Sequence, residues 1–133
     1  MGSTRYRKHA GGVATLHYHF VWCSKYRRKV LTGPIAARLE ELLREKANQL
    51  GVEIQALEVL PDHVHLAVAA APTDAPQYLA NQFKGYTSRV LREEFPGLKS
   101  RLPSLWSRSY YVGSAGHISP RTIQTYIEQQ KRS

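Results

Sequence analysis

The sequence predicts a domain of the α/β (α+β) class, built on an antiparallel sheet. Its 133 residues are the length of one domain, so we expect a single domain over 1–133, and an apolar fraction of 42% is enough for a core. Three observations support the class: a segment of alternating large apolar residues, a hairpin signal at Pro61-Asp62, and two long segments with apolar residues at helical spacing.

Four strands are predicted in chain order. The first covers Thr15 to Cys23, where large apolar side chains fill every second position. The second covers 52–60, with a bulge near Ala56 where the alternation is interrupted. His63 to Ala70 is the third strand, joined to the second by the tight turn, and Leu105 to Val112 is the fourth.

Two long helices are predicted between these strands. Gly33-Pro34 opens the first, which occupies 34–50 and ends at Gly51. The second occupies 75–95, with Asp74 as its N-cap. We expect both helices to cover the apolar face of the histidine-bearing strand.

The two ends of the chain are predicted to be accessory to the core. Residues 1–12 are polar and basic and indicate a flexible basic arm. Gly113 to Gly116 indicates a joint, and Ser119-Pro120 begins a last helix, so 113–133 is interpreted as a joint plus terminal helix. This helix is expected to approach the sheet face that carries the histidines.

The composition limits the classes of function. A formal net charge of +9 favours a polyanionic partner, most simply nucleic acid, with an anionic membrane surface as the rival. We expect no membrane span and no signal peptide, and the single Cys23 is typical of a reducing cytoplasm. With only Asp62 and Asp74 as aspartates, a carboxylate-rich two-metal site is poorly supplied, and no glycine-rich phosphate loop indicates a nucleotide cofactor.

Two histidines at alternate positions of the third strand suggest a metal site. His63 and His65 point to the same face of a strand, and two neutral imidazoles suit a divalent ion that keeps positions open for other ligands. The alternative is two histidines on a half-exposed face with no chemical role. A second pair, His17 and His19, lies mid-strand among large aromatics, and we favour a structural or substrate-contact role for it.

Several basic residues are candidates for contact with a phosphate backbone. They lie in the N-terminal arm, on the turn after the first strand, along the second helix and in the fourth predicted strand. Four of them surround Tyr26, whose ring is available to stack on a base; a solvated surface is the alternative. The candidates are Arg5, Lys25, Tyr26, Arg27, Arg28, Lys29, Lys84, Arg89 and Arg108.

The last helix carries a candidate nucleophile. Tyr126 and Gln130 are four residues apart and share one helical face. A phenol can attack a phosphodiester when a metal ion polarises the phosphate, and an amide oxygen is a neutral ligand. The alternative is an amphipathic helix with a partly buried tyrosine.

Six motifs in order closely resemble the single-tyrosine HUH transposases of small bacterial insertion sequences, over nearly the whole length. They are His17-Tyr18-His19-Phe20-Val21-Trp22, Lys25-Tyr26-Arg27-Arg28-Lys29-Val30, Pro61-Asp62-His63-Val64-His65-Leu66, Gln82-Phe83-Lys84-Gly85-Tyr86, Leu105-Trp106-Ser107-Arg108-Ser109-Tyr110 and Tyr126-Ile127-Glu128-Gln129-Gln130. The resemblance implies a ferredoxin-like antiparallel sheet of the HUH endonuclease type, with helices on both faces.

The resemblance also implies the chemistry. His63, His65 and Gln130 match the family's ligands for Mg²⁺ or Mn²⁺, and Tyr126 matches the nucleophile that joins the 5′ side of a break in single-stranded DNA. Family members recognise hairpins at element ends and are homodimers whose tyrosine helix can cross to the partner. Three alternatives remain: a domesticated, repeat-associated tyrosine transposase, a replication or conjugative nickase, and a non-catalytic single-strand-binding module.

Overall fold

The computed structural model describes residues 8–9, 12–13, 15–114 and 120–132. Six strands are present among these residues: β1 (Lys8–His9), β2 (Gly12–Val13), β3 (Leu16–Cys23), β4 (Glu53–Leu60), β5 (His63–Ala70) and β6 (Tyr111–Ser114). β1 and β2 pair with each other, whereas the other four form one antiparallel sheet in the order β4-β5-β3-β6.

Four α-helices and two 3₁₀ turns complete the described elements. They are α1 (Gly33–Leu50), α2 (Pro76–Glu94), α3 (Pro96–Arg101), α4 (Pro120–Glu128), and the turns Lys25–Arg27 and Gln129–Arg132. None of the helices in the part of the chain that the structure describes is long and apolar enough to cross a membrane. The succession β3-α1-β4-β5-α2-β6 with this strand order is the ferredoxin-like arrangement, as predicted.

The sheet is covered by helices on both faces. On one face, α1 and α2 pack over alternate residues of the two central strands, including Phe20, Trp22, Val64 and Leu66, all fully buried. On the other face, a smaller cluster joins two β3 residues to two α4 residues; its members are Val21, Cys23, Ile123 and Ile127. The alternation in β3 therefore supplies one side chain to each core in turn.

Local sequence signals account for the boundaries of the hairpin and of α1. Gly51 ends α1 in the left-handed region at φ 73°, which glycine adopts without steric cost. β4 contains the predicted bulge, because its pairing with β5 shifts between Ile54 and Ala56. The turn at Pro61-Asp62 then places β5 antiparallel to β4.

The predicted fourth strand was wrong over most of its length. Trp106 makes an isolated bridge with Ser24, and regular strand occurs only at β6. The Lys84 ammonium donates to the main-chain carbonyls of residues 107–109, which lie in the irregular segment before β6. α3, which follows α2 directly, was not predicted.

Two other local predictions also need correction. Asp74 is not the cap of α2: the N-cap is Ala75, and the Asp74 carboxylate accepts the main-chain N–H of Ala71 at 3.0 Å. Gly113 and Ser114, predicted as part of a joint, are paired with β3. The remainder of that joint, and Arg5 in the predicted basic arm, lie outside the described residues.

Candidate metal and nucleophile site

The two histidines of β5 converge on one face of the sheet, as their spacing predicts. The ring centroids of His63 and His65 are 5.1 Å apart, with 67° between the ring planes. Their neighbours on the adjacent strand are Cys23, opposite His63, and Val21, opposite His65. Both imidazoles are therefore presented toward α4, which packs on the same face.

A buried carboxylate orients the first imidazole. Asp62 Oδ1 lies 2.7 Å from His63 Nδ1, and because a carboxylate can only accept, the proton is on Nδ1 and Nε2 is left free. Arg27 Nε donates to the other carboxylate oxygen at 3.1 Å. Burial alone would raise the pKa of Asp62, but the hydrogen bonds from His63 and Arg27 hold this pKa below its ordinary value.

The second imidazole is held in its neutral form. Burial lowers the pKa of His65, and the neighbouring His63 and His19 lower it further. A neutral imidazole has the free lone pair that a metal ligand needs. His65 also contacts His19, whose pKa burial lowers as well.

An open cavity of about 430 Å³ lies between the histidines and the last helix. Its walls are formed by Arg27, Leu60, His63 and His65 on one side and by Pro120, Ile123, Gln124 and Ile127 on the other. Two imidazoles, one of them fixed by a carboxylate, are a donor set that fits a divalent ion. Within the described ranges, no three His, Cys, Asp or Glu side chains are grouped to hold a metal.

Tyr126 and Gln130 share one partner, Ser109. The Tyr126 hydroxyl donates to the Ser109 carbonyl at 3.0 Å, and the Ser109 hydroxyl donates to Gln130 Oε1, also at 3.0 Å. Burial raises the pKa of Tyr126 to about 12, although hydrogen bonding with Ser109 acts in the opposite direction. The phenol is therefore protonated at neutral pH in this arrangement.

The structure brings the predicted nucleophile and the predicted amide ligand together, but not to the imidazoles. Among residues 15–114 and 120–132, the side-chain hydrogen bonds and ring contacts of Tyr126 go to Ser109 and Tyr111. The side of α4 that faces the histidine cavity presents Ile123, Gln124 and Ile127.

The predicted DNA contacts occupy different environments. Arg28, Lys29, Arg89 and Arg108 are exposed, and Tyr26 is 40% exposed with the unusual φ of 57°. Lys25 lies 5.1 Å from the ring centroid of Tyr26. An exposed aromatic ring beside cations has the character of a base-stacking position.

Two of these candidates are engaged within the chain. Arg27 pairs with Asp62 and donates to the carbonyl of Ile127 at 3.4 Å. Lys84 donates to the carbonyls of Ser107, Arg108 and Ser109 at 2.9, 3.3 and 3.1 Å, and burial lowers its pKa to about 8.

Sequence reasoning missed the residues that act through another side chain. Asp62 was interpreted only as a turn residue, although it immediately precedes His63 in the sequence. His19 and Ser109 were not linked to the site, because their contacts depend on strand pairing and on a loop path that periodicity does not specify.

Comparison with known proteins agrees with this architecture. The sequence model of the family described as "Transposase IS200 like" matches residues 12–130. The chain is 40% identical over 126 residues to the ISDra2 transposase TnpA of Deinococcus radiodurans, covering 93% of this chain and 90% of that protein. It is 31% identical over 115 residues to the transposase for insertion sequence element IS200 of Salmonella typhimurium, covering 85% and 75% of the two chains.

Two solved structures share the fold. A crystal structure of a protein assigned as a transposase from Deinococcus radiodurans R1 superposes with a TM-score of 0.85 at 37% identity, covering 100% of both chains. A REP-associated tyrosine transposase bound to a REP hairpin has a TM-score of 0.57 at 16% identity, over 98% of this chain and 70% of that one, which is a likeness of fold. By its sequence and by its sheet, the chain belongs to the IS200-like transposases, the single-tyrosine family that its motifs indicated.

Proposed function

We propose that this transposase cleaves and rejoins single-stranded DNA at insertion-sequence ends through a phosphotyrosine on Tyr126. The observation that carries the proposal is the convergence of His63 and His65, with His63 fixed by the buried Asp62, on a cavity walled by the tyrosine-bearing helix. Mg²⁺ or Mn²⁺ would be held by His63, His65 and Gln130. A divalent ion there would withdraw charge from the scissile phosphate.

Cleavage is a transesterification. The Tyr126 oxygen forms a bond to the scissile phosphorus, its proton passes to solvent, and the bond from phosphorus to the 3′ oxygen breaks. The 3′ oxygen leaves as a hydroxyl after taking up a proton, and the 5′ phosphate stays on the tyrosine. Attack by a 3′-OH on that link reverses the sequence and releases the phenol. Each step exchanges one phosphate ester for another, so no nucleotide cofactor is needed.

The nucleophile must change its surroundings to react. Tyr126 and Gln130 are hydrogen-bonded to Ser109 and not to the imidazoles. The reaction therefore needs either a movement of α4 or a histidine pair from a second copy. We propose the second arrangement, a homodimer in which the tyrosine helix is exchanged. The chain would cross to the partner between the end of β6 at Ser114 and the start of α4 at Pro120.

DNA with terminal hairpins is the proposed substrate. The charge of +9, the exposed Arg28, Lys29, Arg89 and Arg108, and the exposed ring of Tyr26 support binding to a phosphate backbone with bases in reach. A protein of the same fold binds a REP hairpin. That likeness also favours the second candidate, a repeat-associated tyrosine transposase with the same chemistry and a chromosomal hairpin as substrate.

A covalent adduct tests the reaction class. The protein is incubated with Mg²⁺ and labelled single-stranded DNA taken from the flanks of its own gene, and adducts are resolved on denaturing gels. We expect an adduct that disappears with Tyr126→Phe or with a chelator, while Tyr78→Phe, a change at an exposed tyrosine on α2, leaves it intact. An adduct that persists in Tyr126→Phe would contradict the assignment of the nucleophile. Binding that survives the chelator without any adduct would favour a non-catalytic module.

A further inference from the structure

His19 lies on β3, and its side chain reaches His65 on the neighbouring strand. The antiparallel register sets Val21 opposite His65 and Ala67 opposite His19, so the two histidines are diagonal neighbours on one face of the sheet. Aromatic side chains at such diagonal positions are within reach of each other. His19 Nε2 lies 3.3 Å from His65 Nδ1.

The two rings are in contact and nearly parallel. Their planes differ by 21°, and their centroids are 5.3 Å apart, much farther than the two nitrogens. The rings are therefore offset from one another. A separation of 3.3 Å between the two nitrogens is within reach of an N–H···N hydrogen bond, in which one ring donates and the other accepts.

The contact distinguishes the two nitrogens of His65. With Nδ1 directed at His19, Nε2 is the nitrogen left to bind an ion, and it has a free lone pair only if the proton is on Nδ1. His63 has the same arrangement, because its Nδ1 is directed at Asp62. Each imidazole of the pair therefore uses Nδ1 for orientation and keeps Nε2 for a ligand.

We propose that His19 is a positioning residue for the metal site, whose Nε2 accepts the Nδ1–H of His65 as Asp62 accepts that of His63. His19 must then carry its own proton on Nδ1, a buried atom without a partner among the described residues. A buried N–H without an acceptor destabilises the fold, and the hydrogen bond between His19 and His65 requires this arrangement. The inference rests on the proposed function for the identity of the bound ion, but the tautomer it requires exists without one.

Nitrogen spectra of the imidazoles test the tautomer directly. Long-range ¹H–¹⁵N correlation spectra of the metal-free, ¹⁵N-labelled protein, at a pH where both rings are neutral, report which nitrogen carries the proton. We expect Nδ1–H on both His19 and His65. A proton on Nε2 of His65 would overturn the proposal, even if the protein forms its phosphotyrosine adduct normally.

The affinity of the site for a divalent ion tests whether His19 orients His65 for binding. In titrations with Mn²⁺ followed by electron paramagnetic resonance, we expect His19→Phe to bind about 10- to 100-fold more weakly than the parent. His19→Gln, whose amide oxygen is the same number of bonds from the backbone as Nε2, should restore most of the affinity. The matched control is His17→Phe, because His17 is on the same strand face but bonds to Gln55. Unchanged affinity in His19→Phe would overturn the proposal.

Discussion

At the scale of single residues, Asp62 connects the parts of the site. One carboxylate oxygen fixes His63, and the other accepts from Arg27, which also donates to the carbonyl of Ile127 in α4. The state of one buried carboxyl is thus linked to the imidazole pair and to the position of the tyrosine-bearing helix. Its pKa is below the ordinary value because both partners favour the charged form.

A lowered pKa makes the contribution of Asp62 depend on pH in a defined direction. The carboxylate stabilises the fold above the pKa of about 3.9 that it has when unfolded, and this stabilisation is lost as the pH falls through the lower folded pKa. We expect Asp62→Asn to lower the free energy of unfolding by about 1–2 kcal/mol at neutral pH. In urea titrations, the difference from the parent should shrink as the pH falls below the unfolded value of about 3.9.

The control for this measurement is Glu93→Gln, which removes an exposed carboxylate 4.0 Å from Arg89. It should leave both the stability at neutral pH and its acid dependence close to the parent. A difference for Asp62→Asn that stays constant with pH would show that the charge of Asp62 does not stabilise the fold.

At the scale of elements, one side chain of α2 organises the loop that holds Tyr126. The Lys84 ammonium binds three successive carbonyls, of Ser107, Arg108 and Ser109, and the Ser109 carbonyl also accepts the Tyr126 hydroxyl. The carbonyls of residues 107–109 are therefore bound by a side chain of a helix, whereas Leu105 and Ser107 form main-chain hydrogen bonds with Lys25 and Cys23. The alternation at Leu105 to Val112 produces this short pairing and part of β6, not a continuous strand.

Removal of this ammonium should destabilise the loop. Lys84→Met keeps much of the side-chain length but leaves the three carbonyls without their shared donor, so we expect a loss of about 2 kcal/mol in the free energy of unfolding. Urea denaturation measures the loss, and faster amide exchange near residues 107–109 would locate it. Lys99→Met, at an exposed lysine of α3, is the control and should change little. Equal stability of both variants would contradict the role of Lys84.

The contrast between β5 and this loop shows what the sequence could predict. His63 and His65 share a face because strand period is local, and Gly51 ends α1 because its left-handed conformation is local too. To predict the contact between His19 and His65, one must know the register of β3 on β5, which depends on both strands together. To predict the partners of Lys84 and Tyr126, one must know the path of an irregular loop, for which periodicity gives no signal.

At the scale of the whole molecule, the helix that bears Tyr126 buries few apolar side chains against the sheet. The cluster beneath it contains four buried residues, of which only Ile123 and Ile127 come from α4, whereas the core on the other face of the sheet is far larger. Burial of an isoleucine contributes about 1.5–3 kcal/mol, so release of this helix costs on the order of several kcal/mol. New contacts of the helix with the sheet of a second copy would offset that energy, so exchange of the helix between subunits is compatible with a stable dimer.

Mixed dimers decide between a site built by one chain and a site shared by two. Tyr126→Phe and His63→Ala should each be inactive alone. If the tyrosine acts on the partner's histidines, a mixed dimer contains one intact site, and an equal mixture should recover roughly a quarter of the parent's adduct. A mixture of Tyr126→Phe with the double variant Tyr126→Phe/His63→Ala is the control, because no dimer in it contains Tyr126. If the first mixture stays as inactive as this control while subunit exchange is demonstrated, each site is assembled within one chain, and α4 must turn on its own sheet to bring Tyr126 from Ser109 to the imidazoles.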